Sequence, residues 1–310
     1  MDVFSQVVHD FSVLPSVESW TEAQTLFQQA ASRKPNHWLL PVQACEAVGG
    51  AQDQAIPALL AVGCAHVGIL LVDDMLDTDP RGAYHQLGMP AVSNLACAFQ
   101  AAAVSAIGQC SQDPAACLVA LTSFNAMFLS TAFGQFLDAA THAPVDESAY
   151  WLVTRTKSSP FFGAALQVGA LAGGGTLTTA EGLKKLGGIY GEMIQIHDDM
   201  HDAMETPANP DWVQGRSPLP ILFASLVSHP EQKRFLALSQ NITEPAALEE
   251  AQDILIRCGA ISYCADQLIQ RYRIAKEILE EIALVEYASI SSLLETVIAP
   301  VYKLLEATEQ

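Results

Sequence analysis

The chain has 310 residues, half of them apolar and 16% charged, which is material for one large domain or two ordinary ones. Its 34 acidic residues against 15 basic ones give a formal net charge of −19. Such a field repels nucleic acid and anionic lipid, so neither is expected as a partner. The N-terminal "MDVFSQVVHDFSVLPSVESW" is acidic and lacks a basic region and a small-residue cleavage site, so it does not read as a signal peptide. Period-2 alternation is almost absent, and apolar segments of helical length are broken by Gly, Pro, Asn and Asp. Helices are predicted near 16–33, 38–48, 54–77, 90–109, 114–141, 146–172, 179–203, 217–228, 245–258, 260–283 and 287–307. No joint, "THAPVDES" and "AGGGTLT" included, is long enough to be an inter-domain linker, so 1–310 is expected to form a single all-α domain. Residues 56–72 approach the length of a membrane span. They contain His66 and end in Asp73 and Asp74, which suits a helix buried in protein, without stable membrane insertion. Seven cysteines without a CxxC pair predict a reducing, cytoplasmic setting.

Two carboxylate clusters interrupt this apolar pattern. "LLVDDMLDTDPRG" places Asp73, Asp74 and Asp77 at the end of the 54–77 helix, and "GEMIQIHDDMHD" repeats the D-D-x-x-D order with Asp198, Asp199 and Asp202. Positions i and i+4 share a helix face, so each cluster can present oxygens at one helix end. Like charges this close need a counter-ion, and a hard divalent cation, Mg²⁺ above all, fits oxygen ligands while leaving positions for phosphate oxygens. A single cluster of this kind also fits a solvated helix end; a matched pair preceded by buried-type sequence favours metal and diphosphate.

With these motifs the sequence resembles the trans-isoprenyl diphosphate synthases, the polyprenyl synthetase family, over roughly residues 30–285. His66, seven residues before Asp73, is like the family histidine that helps hold the homoallylic diphosphate. "FGQFLD" is similar to its G-Q-x-x-D, with Gln135 and Asp138, and "RTKSS" to its K-T motif, with Lys157 as a diphosphate ligand. Gln195 stands at the pocket glutamine of the second cluster. "QGRSPLPILFA" resembles G-K-x-T-L-P, with Arg216 at the lysine position. The resemblance implies the terpenoid-synthase helical bundle around a deep apolar cavity. It also implies three Mg²⁺ ions shared by all six aspartates and an allylic diphosphate, an allylic cation shielded from water, and a homodimer.

The departures from the family bear on which reaction follows. The elongating members' G-G-K-R-x-R-P is here "SRKPNHW": Lys34 remains, while Pro35 and His37 replace the arginines. The R-R-G after the first cluster is "PRG", which keeps only Arg81, and "AMETPANPDWVQGR" lacks K-x-x-G-x-D. Each lost arginine removes bidentate, charge-assisted bonds to a diphosphate. The ionising half is thus complete and the acceptor half depleted, as in a class I terpene synthase that quenches its cation without isopentenyl diphosphate. Gly68 lies where the family places an aromatic that caps the pocket, so a C15–C20 substrate is expected with C20 favoured over C10: geranylgeranyl or farnesyl diphosphate, or a cyclised C20 diphosphate.

Several features are weighed against plainer readings. His197 and His201 have zinc-like i, i+4 spacing but project about 100° from the Asp198–Asp202 edge, so they read as outlying or surface groups. Gly173–Gly175 has no preceding strand and reads as helix termination. Asp79 is a candidate fourth ligand beside Asp77, or simply a helix end. Trp212 looks exposed and either closes over the site or staples its loop to the core. Tyr84 and His85 are candidates to line the vacated acceptor site. Three functions follow: the terpene-synthase-like enzyme favoured by the lost arginines; a chain-elongating enzyme, or a prenyltransferase with another acceptor, supported by His66, Lys34, Arg81 and the second full D-D-x-x-D; and a non-catalytic partner subunit, disfavoured by the intact clusters.

Overall fold

The structure is a computed structural model that describes residues 2–140, 146–216 and 218–308. No β-strand occurs among the described residues. The first α-helices are α1 (Val3–Ser12), α2 (Thr21–Ser32), α3 (Leu40–Ala47), α4 (Ile56–Leu76), α5 (Tyr84–Leu87), α6 (Met89–Ile107), α7 (Pro114–Ala140) and α8 (Glu147–Lys157). They are followed by α9 (Ser159–Ala172), α10 (Leu177–Asp202), α11 (Pro210–Val213), α12 (Leu219–Leu226), α13 (Gln232–Ser239), α14 (Pro245–Arg257), α15 (Ala260–Glu281) and α16 (Ala288–Thr308).

The predicted helices are present, with corrections that have local causes. The segment predicted at 16–33 begins only at Thr21. Ahead of it lies α1, missed in the sequence, whose first turn is capped by Asp2 Oδ1 accepting from the amides of Phe4 (3.0 Å) and Ser5 (3.2 Å). The predicted 146–172 helix is two helices, α8 and α9. Pro160 has no N–H to continue the ladder, so α8 ends at Lys157 and the chain restarts at Ser159. The short helices α5, α11 and α13 also went unpredicted. The expected helix end at Thr141, the joint over 141–145 and the expected start at Ser217 lie outside the described residues.

Cα packing divides the chain into two compact units. The first comprises Met1–Ala132, Pro160–Gly188 and Ile278–Ser292. Its centre is α4, apolar nearly all round and packed along α6. The ring of Phe11 on α1 stacks on Phe27 of α2 at 4.3 Å and on Phe99 of α6 at 5.3 Å, which draws the N-terminal helices onto that pair.

The second unit comprises Phe133–Ser159, Ile189–Glu277 and Leu293–Gln310. One of its apolar clusters gathers Trp212, Phe235, Leu248, Ile254 and Leu255. Trp212 is therefore a buried staple, and the alternative of an exposed lid is set aside. A polar network around the buried Glu192 and Arg271 ties α8, α10 and α15 together. Glu192 accepts from Arg155 Nε (2.8 Å) and Arg271 Nε (3.2 Å), and the Arg271 guanidinium lies 3.9 Å above the Trp151 ring. Trp151 Nε1 (2.8 Å) and Tyr263 Oη (2.6 Å) both donate to Glu147 Oε1.

By length and composition, three helical stretches are long and apolar enough to cross a membrane: Gln52–Leu76, Met89–Ile107 and Pro114–Ala139. Protein covers 67% of the first window but only 44% and 33% of the other two. Sequence reading had singled out the first alone.

Breaking a buried ion pair by removing one partner typically costs about 3–5 kcal/mol, because the other charge stays behind. Glu192→Ala should therefore lower unfolding stability in denaturant by several kcal/mol through the stranded Arg271. A loss below about 1 kcal/mol would show the network to be incidental.

Candidate active site

In the first unit, α4 ends in the first acidic cluster. Asp77 caps the helix with its amide bonded to the Asp73 carbonyl at 2.9 Å, and Thr78 turns the chain with φ of 52°. Asp73, Asp74 and Asp77 are all part-buried. Burial, followed by the like charges of Asp79, Asp73 and Asp77, pushes the Asp74 carboxyl up to about 6 against the lowering effect of Arg81. A hard, all-oxygen donor set with too little positive charge around it fits Mg²⁺.

The loop after this cluster differs from expectation. Arg81 is turned back on Asp79, with Nη2 at 2.7 Å from Oδ2 and Nε at 3.1 Å from Oδ1, while 87% of its side chain stays exposed. Asp79 is thereby used as the arginine's partner and is not a fourth metal ligand. His85 Nε2 contacts the Asp79 carbonyl at 3.1 Å, and its ring lies 4.1 Å from that of the buried Tyr84. Lys34 is exposed just beyond α2, with φ of 47°.

Two residues of α4 are held by contacts within the first unit. His66 Nδ1 accepts a hydrogen bond from Trp38 Nε1 at 3.0 Å, which leaves the proton on Nε2. Burial, with His37 at a ring separation of 4.3 Å, pushes its pKa down to about 3, so His66 is neutral and its Nε2–H is the group it can offer an anion. Phe161 completes this aromatic group at 6.0 Å from His66. Gly68 faces α6. A Cβ there would meet the Ala96 carbonyl and Phe99 Cβ at 3.3 Å, so the glycine serves the close packing of α4 on α6.

In the second unit, the carboxylates at the end of α10 differ from one another. Asp198 is exposed and Asp202 part-buried, while Asp199 turns inward with 4% exposure. Asp199 Oδ2 accepts from Tyr150 Oη at 2.7 Å and from the Leu219 amide at 2.8 Å; Oδ1 accepts from Gln195 Nε2 at 2.7 Å. Burial raises its pKa to about 7 against the lowering effect of these three donors. Asp199 thus anchors α8 and the start of α12 to α10, and three donors occupy the oxygens that a metal ion would use. Gln195 belongs to the same network: its Nε2 donates to Asp199 and its Oε1 accepts from Ser158 Oγ at 2.8 Å. Asp202 is raised to about 6, by burial first and then by Glu205, Asp198 and Asp211.

The expected anion-binding side chains do meet. Lys157 Nζ lies 2.6 Å from Asp138 Oδ2, and Arg216 Nη1 lies 3.7 Å from the same oxygen and 3.3 Å from Asp211 Oδ1. Both cations are largely buried, with 22% and 14% side-chain exposure, so they are weakly screened. The approach depends on Gly134 of α7, where a Cβ would fall 2.4 Å from the Lys157 amide nitrogen. Gln135, one residue further, is buried.

The sequence reading missed Tyr150 and Ser158, the partners of Asp199 and Gln195. Nothing in the local motif marks them, but the buried spacing Met193, Ile196, Ala203 does place Asp199 on the inner face of α10. It also missed Glu205. Among the described residues, His201, Asp202 and Glu205 form the one group of three metal-binding side chains with ligand atoms within 4.8 Å of one another; neither aspartate triplet does.

A family profile described as polyprenyl synthetase matches residues 24–255. The chain belongs to the polyprenyl synthetase family. As a member it is an enzyme of prenyl-diphosphate chemistry. It is 28% identical over 253 residues to the geranylgeranyl diphosphate synthase of Methanosarcina mazei, covering 77% of this chain and 76% of that one. It is also 28% identical to a short chain isoprenyl diphosphate synthase of Methanothermobacter thermautotrophicus, over 78% of each chain. The fold matches the geranylgeranyl pyrophosphate synthetase of Geoglobus acetivorans with a TM-score of 0.79 at 20% identity, over 95% of both chains. It matches equally, at 0.79 and 19% identity over 95% and 93% of the chains, a polyprenyl synthase of Caulobacter crescentus solved with calcium and isoprenyl diphosphate. The all-α fold expected from sequence is that of these family members.

His66 makes the fold sensitive to acid. Its pKa is about 3 when folded against about 6.5 when free, so below pH 6.5 the unfolded chain takes up a proton that the folded chain does not. Its contribution is complete above pH 6.5 and falls by about 1.4 kcal/mol per pH unit on acidification toward 3. Between pH 6.5 and 5, wild type should lose about 2 kcal/mol more stability than His66→Gln. Parallel denaturation curves for the two proteins would contradict a buried neutral imidazole.

Proposed function

We propose that the protein is a trans-prenyltransferase that extends an allylic prenyl diphosphate with isopentenyl diphosphate. The C–O bond to the diphosphate breaks, a C–C bond forms to the acceptor alkene, and the acceptor loses a proton as inorganic diphosphate leaves. The observation that carries elongation is the likeness to geranylgeranyl and short chain isoprenyl diphosphate synthases, and the pair of part-buried cations Lys157 and Arg216 around Asp138 supports a diphosphate head group. They would exchange part of their contact with Asp138 and Asp211 for diphosphate oxygens, holding the head group and stabilising the charge that develops as it departs. Within each unit the acidic cluster would hold magnesium: Asp73, Asp74 and Asp77 in the first, Asp198 and Asp202 in the second. When bound, Mg²⁺ supplies positive charge that turns the diphosphate into a leaving group. The number of ions expected from the resemblance, three, is part of this proposal.

Relatives named as geranylgeranyl and short chain isoprenyl diphosphate synthases support chain elongation, with geranylgeranyl diphosphate as the product class. They weigh against the reading favoured from the missing arginines, quenching without isopentenyl diphosphate. One observation keeps that second reading in view. His37 stands beside a neutral His66, and Arg81 is tied to Asp79, so the acceptor-side residues present little free positive charge.

We also propose a homodimer acting as one synthase domain per chain, in the cytoplasm. Leu118, Leu129, Phe133 and Phe136 on α7 are exposed apolar side chains of the kind a partner covers, and the seven cysteines are free, as in a reducing compartment.

Incubation with Mg²⁺ and farnesyl or geranylgeranyl diphosphate, with and without isopentenyl diphosphate, tests the assignment by product analysis before and after phosphatase. A longer diphosphate made only when isopentenyl diphosphate is present is the expected result. A hydrocarbon or alcohol formed without it would overturn elongation in favour of the second reading.

A further inference from the structure

The end of α10 and the turn after it carry a group of side chains, His201, Asp202 and Glu205, of which the diphosphate chemistry uses only Asp202. His201 Nδ1 lies 3.7 Å from Asp202 Oδ1 and 3.6 Å from Glu205 Oε1. Both separations exceed the N–H···O range, so neither is a hydrogen bond. They are close to the spacing of two ligands on one ion: donors about 2.1 Å from a tetrahedral centre stand ~3.4 Å apart.

The surrounding contacts hold this geometry in place. Asn209 Nδ2 donates to Glu205 Oε2 at 2.9 Å, which directs the other carboxylate oxygen toward His201. Gln252 Nε2 donates at 2.9 Å to the Glu205 carbonyl and at 3.4 Å to that of Ala203, pinning the turn that follows the helix. A hydrogen-bonded carboxylate ligand of this kind is the support that metal sites use to orient their donors. His201 is exposed and the two acids part-buried, so water can complete the coordination.

We propose that His201, Asp202 and Glu205 form a binding site for a borderline divalent cation of the zinc class, Zn²⁺ or Co²⁺. One imidazole nitrogen with two carboxylates favours such ions over Mg²⁺, which prefers oxygen donors alone. His197, one turn earlier, stands outside the group; its Nδ1 lies 3.3 Å from Asp198 Oδ1. Asp202 belongs both to this site and to the acidic cluster. Filling the nitrogen-bearing site therefore takes a carboxylate away from magnesium, and zinc should inhibit magnesium-supported turnover.

The inference goes beyond the proposed reaction, because metal binding is read without substrate. Zn²⁺ is titrated calorimetrically into the full chain in excess Mg²⁺, and Co²⁺ is followed in parallel by its visible absorption. Wild type should bind zinc at one such site, with affinity falling more than about tenfold in His201→Asn and in Glu205→Gln. His197→Asn should bind as wild type does. Equal affinity in wild type and His201→Asn, or a loss confined to His197→Asn, would overturn the site. Product formation with Mg²⁺ alone tests the prenyl-transfer reading separately, so the two can fail independently.

Discussion

The buried Asp199 carboxylate is the interaction on which the second unit's chemistry depends. Three donors from three parts of the chain converge on it: the Tyr150 hydroxyl of α8, the Gln195 amide of α10 and the Leu219 backbone amide that opens α12. Each would be an orphaned buried donor without it, at about 1–3 kcal/mol apiece. Fixing α8 sets the position of Lys157 at its last residue, and fixing Leu219 anchors the segment three residues after Arg216. An aspartate that looks from the motif like one more ligand is the part that registers Lys157 and Arg216, the cations proposed to hold the diphosphate.

The outer carboxylates are arranged in the opposite way. Asp74 and Asp202 are both raised to about 6 by burial and by acidic neighbours, so their charged forms lack compensation from the protein. A site built to be complete without a cation would relieve that repulsion with arginine or lysine. Here the nearby cations are committed elsewhere, Arg81 to Asp79 and Lys157 to Asp138. Stored repulsion of this kind is what a divalent ion removes on binding.

Much of this was legible in the sequence. The long apolar helices, the placement of both acidic clusters at helix ends and the family resemblance all follow from helical periodicity and short motifs, because those signals are local. The meeting of Lys157, Asp138 and Arg216 was legible through the resemblance. What was hidden depends on contacts distant in sequence. The D-D-x-x-D spelling is the same in both clusters, and only the rotation of α10, visible in the buried positions Met193 and Ile196, separates Asp199 from its neighbours. The tautomer of His66 follows from Trp38, 28 residues away, its neutrality from burial and His37, and Gly68 is explained by the closeness of α6. The end of α8 needed the weight of a single proline, Pro160, to be recognised within an otherwise continuous helical pattern.

The division of labour within the second cluster is the central claim, and magnesium-dependent binding of inorganic pyrophosphate, read alongside thermal melting, tests it most directly. Asp198→Ala should lose the magnesium-dependent part of pyrophosphate binding while melting like wild type. Asp199→Ala should melt at a clearly lower temperature, because three buried donors lose their acceptor. If Asp199→Ala instead melts like wild type yet takes up no magnesium with pyrophosphate, Asp199 is a metal ligand after all and the account is wrong.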